Sequence, residues 1–335
     1  MKKSILFFIL FFLPNFVFAT STVVMDVDSG RILYEKNKDE VRLIASITKI
    51  MTCIVVLENT DLDDVVTVGE EVLKMYGTNV YLEVGEKLSV KDLLYGMMLR
   101  SGNDAAISLA TYVSGSEEEF VKKMNEKAKE IGMKDTNFSN SHGLDEDSQN
   151  TSTSYDMALL SRYAYQNKMY REIVKTKKYQ AKSSLKSYTW YNRMSLLNQY
   201  KNCIGGKNGY TPKAGKPLVS LAKLDSLTLT IVSLDDANLY EHHKNLYQEM
   251  FEKYKSYFII DQKSFSISTP FLSKDGYVKK NFNYPLLKEE VDDIRTILEI
   301  YPIPKKKEIG RILIKLKNQE IGKIPVYEKS IKKRK

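Results

Sequence analysis

Ala45-Ser46-Ile47-Thr48-Lys49-Ile50-Met51-Thr52-Cys53-Ile54-Val55-Val56-Leu57 opens on polar residues and continues as an apolar run. Ile50, Met51, Ile54 and Val55 recur at helical spacing, so Ile47 to Leu57 reads as a buried helix. On a helix, residues three apart share a face, which puts the Lys49 amine near the Ser46 hydroxyl. Ser46 also stands at the helix N-terminus, where backbone N–H groups are free to bind developing negative charge. One stretch thus predicts both a core element and a serine with a base beside it. The same Ser-x-x-Lys spacing at Ser183/Lys186 and Ser220/Lys223 lacks a helix start, and at Ser330/Lys333 it falls in a basic tail.

Two further elements follow in chain order. Ser89 reads as an N-cap with Asp92 three residues on, for a helix to about Arg100. Ser101-Gly102-Asn103 breaks that helix, and a second helical pattern runs through Ala105, Leu109 and Val113. A polar break between two apolar helices can turn its side chains into a cleft; alone, it reads as an ordinary helix-helix turn. The third element is Gly205-Gly206-Lys207-Asn208-Gly209-Tyr210-Thr211. Glycines on both sides of a lysine suggest a strand edge that another group approaches closely, though alone they read as a glycine loop.

Taken in this order, Ser-x-x-Lys, Ser-x-Asn and Lys-x-Gly resemble the penicillin-recognising serine enzymes. The match is narrower in Asp28 to Asn37, in Ala45 to Thr52, in Leu99 to Ala106, in Asn140-Ser141-His142-Gly143-Leu144 and in Gly206 to Gly215. Over about Thr22 to Tyr257 the chain resembles the D-alanyl-D-alanine carboxypeptidases, the low-molecular-mass penicillin-binding proteins. The resemblance implies an acyl-enzyme on Ser46, with Lys49, Ser101, Asn103 and Lys207 as the other catalytic residues. It implies Lys207, Gly209, Tyr210, Thr211 and Arg193 as substrate-binding residues, and backbone N–H groups of Ser46 and Tyr210 as the oxyanion hole. The expected partners are peptidoglycan stem peptides ending in D-Ala-D-Ala and β-lactams as acylating inhibitors, with no cofactor and no metal. Two departures stand out. Asn208 occupies a position where the family usually has Thr or Ser, and no arginine occurs between Arg193 and Arg295, where relatives often carry one.

A serine hydroxyl needs an adjacent base at neutral pH. Lys49 can serve if a second cation, Lys207, lowers its pKa. Two other readings fit the sequence. A β-lactamase would use the same scaffold with a deacylating glutamate, and Glu146-Asp147-Ser148-Gln149-Asn150 fits the E-x-x-x-N spacing. A catalytically weak penicillin- or wall-peptide-binding module is the other, resting on Asn208. No G-x-S-x-G elbow is present, and the histidines are only His142, His242 and His243. Adjacent His242 and His243 on one helix make a poor metal site, and His142 reads as structural. Cys53 and Cys203 could pair in an exported chain, but two buried thiols are the favoured reading, and neither has metal-ligand spacing.

Met1-Lys2-Lys3, the apolar Ile5 to Leu13 and Val17-Phe18-Ala19 form a secretory leader with cleavage before Thr20. An uncleaved anchor is the alternative. The protein is thus expected outside the cytoplasm, in the wall or at the outer membrane face. The formal net charge is +9. It carries no nucleic-acid motif, and reads either as a solvated basic surface or as attraction to anionic wall polymers or lipid headgroups.

The expected fold is α+β. A hairpin (Val23–Val27, Arg31–Tyr34, turning at Asp28-Ser29-Gly30) is followed by helices, among them Glu117 to Ile131 capped by Ser116 and Ser154 to Tyr165. Strands then return near Lys207, at Leu218–Ala222 and at Leu227–Ser233, and a last helix closes the domain. This gives a penicillin-binding-protein-like or β-lactamase-like antiparallel sheet flanked by helices, with the nucleophile helix behind it. The expected domains are 1–19 leader, 20–258 catalytic and 259–335 small and β-rich, with a basic tail.

Overall fold

The computed structural model describes residues 20–268, 275–305 and 308–328. The leader, Lys274 of the expected Lys274-Asp275-Gly276 turn, Lys306 and Lys307, and the basic tail from 329 onward lie outside the described residues.

The opening hairpin is β1 (Ser21–Asp26) and β2 (Ile32–Lys36). Its turn is held by the Asp26 carboxylate, which accepts from the Ser29 backbone and hydroxyl. After the short β3 (Arg42–Leu43), a 3-10 turn at Ala45–Thr48 leads into α1 (Lys49–Asn59). Ser46 therefore stands in a tight turn before the α-helix proper. Strands β4 (Val65–Thr67) and β5 (Lys87–Ser89) pair and lead to α2 (Val90–Arg100), which Ser89 caps by accepting from the Asp92 N–H. The helices α3 (Asn103–Ser114) and α4 (Glu117–Ile131) follow, the latter capped by Ser116 and stopped by left-handed Gly132. Next come β6 (Thr151–Ser152), α5 (Ser154–Gln166) and α6 (Lys168–Lys175). A second hairpin, β7 (Lys178–Lys182) and β8 (Ser187–Tyr191), precedes the single turn α7 (Leu196–Gln199). The domain ends with β9 (Cys203–Asn208), β10 (Leu218–Leu224), β11 (Leu227–Leu234) and α8 (Leu239–Lys253).

The antiparallel main sheet has the order β2-β1-β11-β10-β9, so the strand carrying Lys207 is an edge. Helices α5 and α6 pack on one face; α1 packs against them and against α2, α3 and α4. Helix α8 covers the other face, with Tyr247, Met250 and Phe251 against Leu229 and Ile231. Both faces are covered, which is why every residue of β11 is buried and its sequence is a continuous run rather than an alternation. Ile50, Met51 and Ile54 are fully buried in α1, each worth about 1.5–3 kcal/mol by transfer from water. Cys53 and Cys203 are free buried thiols.

A strand-rich C-terminal domain follows: β12 (Lys255–Ile260), β13 (Gly276–Tyr277), β14 (Phe282–Leu286), β15 (Ile294–Lys305), β16 (Glu308–Leu316) and β17 (Gln319–Glu328). Strands β12 and β14 pair, and the rest form a sheet ordered β13-β17-β16-β15. The residue pair 258/259, expected as a boundary, falls within β12. The last three strands are longer than the short strands expected from sequence. The sequence pattern predicts no element over 168–203, yet α6 and the hairpin β7–β8 lie there. The hairpin docks on α2: Tyr179 stacks on Tyr95 at 3.7 Å between ring centroids, and Trp190 lies over Gly96.

Candidate active site

Ser46 is held by backbone from three directions. Ala45 before it is left-handed, with φ 44°, a strained conformation for a residue with a Cβ. Gly143, also at positive φ, presses on this turn so closely that a Cβ there would overlap the Ala45 carbonyl. Gly209, just past β9, approaches from the sheet; a Cβ there would lie 2.9 Å from the Ser46 nitrogen. Ser46 occupies the second position of its 3-10 turn, where helical geometry supplies no acceptor for its N–H.

Lys49 is completely buried. Its Nζ lies 3.2 Å from Ser46 Oγ, 2.7 Å from Asn103 Oδ1 and 2.5 Å from the His142 carbonyl oxygen. The last two can only accept. A neutral amine has two N–H bonds and one lone pair, so both N–H bonds are taken and the lone pair faces the serine hydroxyl. Burial first, and then the charge of Lys207, holds the Lys49 pKa well below the ordinary lysine value, with Asp104 opposing. In its neutral form, an amine placed this way can accept the Ser46 proton.

Ser101 ends α2 in the left-handed conformation, φ 65°, which aims its side chain into the cleft instead of along the helix. Its hydroxyl accepts from Lys207 Nζ at 3.1 Å, and the same amine donates to the Asn208 carbonyl at 2.6 Å. Burial, then the Arg193 guanidinium, lowers the Lys207 pKa to about 7. Asn103, at the start of α3, is pinned by donating from Nδ2 to the Tyr76 carbonyl while Oδ1 receives Lys49. The three sequence elements, far apart in the chain, thus meet around Ser46.

The remaining candidates are placed as follows. Tyr210 is 65% exposed at the cleft rim beside Gly209. Thr211 is buried, and its hydroxyl donates to Asp145 at 2.5 Å while accepting from the Ala214 N–H. Arg193 donates to Thr78 Oγ1 at 3.3 Å. His142 has its imidazole kept neutral, its pKa lowered to about 3 by burial and then by Lys49, and it contributes its backbone carbonyl to the site. Glu146 of the E-x-x-x-N match is exposed beside Tyr76. Asn150 of that match is a buried pin, donating to Thr48 Oγ1 and to the Asn140 carbonyl. The other Ser-x-x-Lys serines are used elsewhere. Ser183 closes the β7–β8 turn, and Ser220 bonds His243 and Tyr247 under α8. Among the described residues no group of His, Cys, Asp and Glu could hold a metal ion.

Asp104 carries no signal of a role in the sequence pattern. Its buried carboxylate accepts from the N–H groups of Val80, Leu82 and Ala105, tying the loop that supplies the Tyr76 and Thr78 carbonyls to the start of α3. The only local signal was an acid directly after Asn103. Its main partners lie more than twenty residues upstream and cannot be read from spacing.

The family model of the D-alanyl-D-alanine carboxypeptidases matches residues 14–238. The chain is 30% identical over 331 residues to D-alanyl-D-alanine carboxypeptidase DacF of Bacillus subtilis, covering 93% of this chain and 85% of that protein. It is 36% identical over 231 residues to DacD of Escherichia coli, covering 62% of this chain and 56% of that one. Among solved structures, penicillin binding protein 5 from Haemophilus influenzae superposes with a TM-score of 0.77 at 26% identity, covering 92% of this chain and 95% of that chain. DacD from Francisella tularensis gives 0.71 at 28% identity, with 92% of each chain covered. Similarity that spans the segments around Ser46, the sheet and the strand-rich end alike has one source: the chain belongs to the D-alanyl-D-alanine carboxypeptidase family.

Proposed function

We propose that Ser46 is acylated by peptidoglycan stem peptides ending in D-Ala-D-Ala, and that the protein is a serine-type carboxypeptidase releasing the terminal D-Ala. The observation that carries this reading is the Lys49 amine, whose N–H bonds are taken by Asn103 and His142 so that its lone pair faces Ser46. Ser46 Oγ attacks the carbonyl of the penultimate D-Ala as its proton passes to Lys49. Negative charge on the carbonyl oxygen is received by the N–H groups of Ser46 and Tyr210, each such donor typically worth about 3–4 kcal/mol. The C–N bond then breaks, and the amine of D-Ala leaves with a proton delivered through the Ser101 hydroxyl, which Lys207 orients. Water takes the place of the amine, Lys49 again accepts the proton, and the acyl group is released. Asn103 fixes Lys49, Arg193 sets the electrostatics of Lys207, and Gly209 to Thr211 form the wall along which the peptide lies. β-Lactams enter the same site and acylate Ser46.

The polymer lies outside the cytoplasm, and the protein acts there; among the described residues no helix is long and apolar enough to cross a membrane. A net charge of +9 favours residence against anionic wall polymer or lipid headgroups. The test is a fluorescent penicillin and diacetyl-L-lysyl-D-alanyl-D-alanine, applied to wild type and Ser46→Ala. Labelling and D-Ala release by wild type alone support the reading. Labelling without D-Ala release would replace it with a binding module, and fast hydrolysis of a chromogenic β-lactam would replace it with a β-lactamase.

A further inference from the structure

The loop that brings the Tyr76 and Thr78 carbonyls to Asn103 continues into a strained knuckle. Tyr81 at its apex is left-handed, with φ 65°, a conformation that a bulky residue rarely adopts unless its surroundings impose it. Here they do. The N–H groups of Val80 and Leu82, one on each side, both donate to the buried Asp104 carboxylate. The Tyr81 carbonyl accepts from Lys186 Nζ of the β7–β8 hairpin at 2.9 Å. Val80 and Leu82 are buried while Tyr81 between them is 76% exposed. Among the described residues its hydroxyl has no hydrogen-bond partner and its ring stacks on no other ring. Glycine or asparagine would make the same turn with less strain, so the fold does not call for a tyrosine here.

A rigidly held aromatic face with polar neighbours suits a ligand that is apolar on its faces and polar at its edge. A pyranose ring is such a ligand, with C–H bonds on its face and hydroxyl and acetamido groups at its rim. Beside Tyr81 stand the Lys186–Glu83 ion pair at 2.6 Å and the Tyr188 hydroxyl, 3.5 Å from the Tyr81 carbonyl. The proposed substrate carries such rings, because each stem peptide hangs from the aminosugar strand of peptidoglycan. Four residues join the carbonyl attacked by Ser46 to that strand, a reach of up to about 14 Å. Ser46 and Asn103 touch the same Lys49 amine, and the Asn103 N–H donates to the Thr78 carbonyl. Tyr81 follows Thr78 by three residues, at most about 11 Å of chain. A peptide engaged at Ser46 therefore holds its own strand at high local concentration within reach of the ring.

Resting on the carboxypeptidase reading above, we infer that Tyr81 is a stacking platform for an N-acetylated aminosugar of the peptidoglycan strand, and that the protein prefers glycan-borne stem peptides to free ones. Asp104 ties the platform to the start of α3 through the Ala105 N–H as well, so the sugar is held in fixed register with Asn103.

The test compares kcat/KM for a free pentapeptide ending in L-lysyl-D-alanyl-D-alanine with that for the same pentapeptide on a soluble, uncross-linked strand of alternating N-acetylglucosamine and N-acetylmuramic acid. Wild type, Tyr81→Phe and Tyr81→Asn are used. Asparagine removes the ring but accepts the left-handed backbone, so Tyr81→Asn should melt no lower than wild type. Wild type and Tyr81→Phe should favour the strand-borne peptide by about two- to ten-fold, through KM, as expected of one aromatic stacking contact. Tyr81→Asn should lose the preference and keep wild-type rates on the free pentapeptide and in penicillin labelling. Wild type without a preference would overturn the inference, as would a preference kept in Tyr81→Asn. A preference lost in Tyr81→Phe would overturn stacking in favour of the hydroxyl. Equal losses on both substrates with slowed penicillin labelling would make Tyr81 a support of the site rather than a sugar platform. If wild type labels with penicillin yet cleaves neither substrate, the carboxypeptidase reading falls, and calorimetric binding of the peptide-free strand decides the platform separately. Weaker binding by Tyr81→Asn than by wild type would support it, and equal or absent binding would overturn it.

Discussion

At the scale of single residues, the site is a set of lysines made unlike ordinary lysines by their surroundings. Lys49 loses its proton easily because burial and then Lys207 disfavour its charge. Lys207 is pushed down to about 7 by burial and then by Arg193. On the proposed mechanism the working form pairs a neutral Lys49 with a charged Lys207, so acylation by a fluorescent penicillin is expected to follow a bell in pH. Its rate rises as Lys49 deprotonates, far below the ordinary lysine value of about 10.4, and falls as Lys207 loses its charge. The two amines interact, so the limbs belong to the pair. Arg193→Gln removes the cation that disfavours the charged form of Lys207 and should move the alkaline limb to higher pH. A stopped-flow rate profile whose alkaline limb stays in place or moves down would contradict this assignment. Ser46, Lys49, Ser101, Asn103 and Lys207 stand in three polar elements that the sequence marks, and the family resemblance is what implies their shared role; the structure brings them together around Ser46. Their pKa values are not legible in the sequence, because burial is a property of the fold.

Elements show the same division. The caps at Ser89 and Ser116, the stop at Gly132 and the buried face of α1 follow from local rules, and each stands where the sequence put it. The hairpin β7–β8 is not predicted by local rules, although Tyr179, Ala181, Tyr188 and Trp190 alternate with polar residues. Its strands are mostly polar and are held in place by docking on α2, a contact no local pattern reports. Tyr188 and Lys186 of this hairpin also reach the loop beyond Thr78, bonding Glu86 and the Tyr81 carbonyl. Trp190→Ala is expected to cost about 3–5 kcal/mol, as a large aromatic is lost from a packed position. Urea unfolding would measure it, and a loss under about 1 kcal/mol, typical of an exposed surface substitution, would show that the hairpin does not brace α2.

Across the whole molecule, the two domains are joined through Arg31. Its guanidinium makes a two-pronged ion pair with Glu290 at 2.6 and 2.9 Å, donates to the Pro285 carbonyl, and lies 5.3 Å from the ring centroids of both Tyr254 and Tyr284. Burial works to raise the Glu290 pKa, yet bonding to Arg31 wins and holds it below the usual carboxylate value. The contact is therefore fully present above the unfolded carboxylate pKa and is lost as pH falls through the lower, folded one. Arg31→Ala should leave penicillin labelling of Ser46 intact and speed proteolytic cleavage between the domains. Equal proteolysis rates in wild type and variant would show that Arg31 does not join them.

What the sequence determined by itself was everything local. It specified which segments are helix or strand at the strongest periodicities, which polar triplets interrupt them, and in what order. Resemblance then supplied the roles. Only the tertiary structure decided which groups share a site and what state they are in. The Lys49 amine becomes a base because α3 and the His142 loop, 54 and 93 residues away, converge on it together with the still more distant β9. Tyr81 is held out in solvent because Asp104, more than twenty residues on, clamps the N–H groups on both sides of it. Hydrogen bonds and desolvation depend on distance in space, and distance in space is set by the packing of the whole chain, not by the neighbours of any one residue.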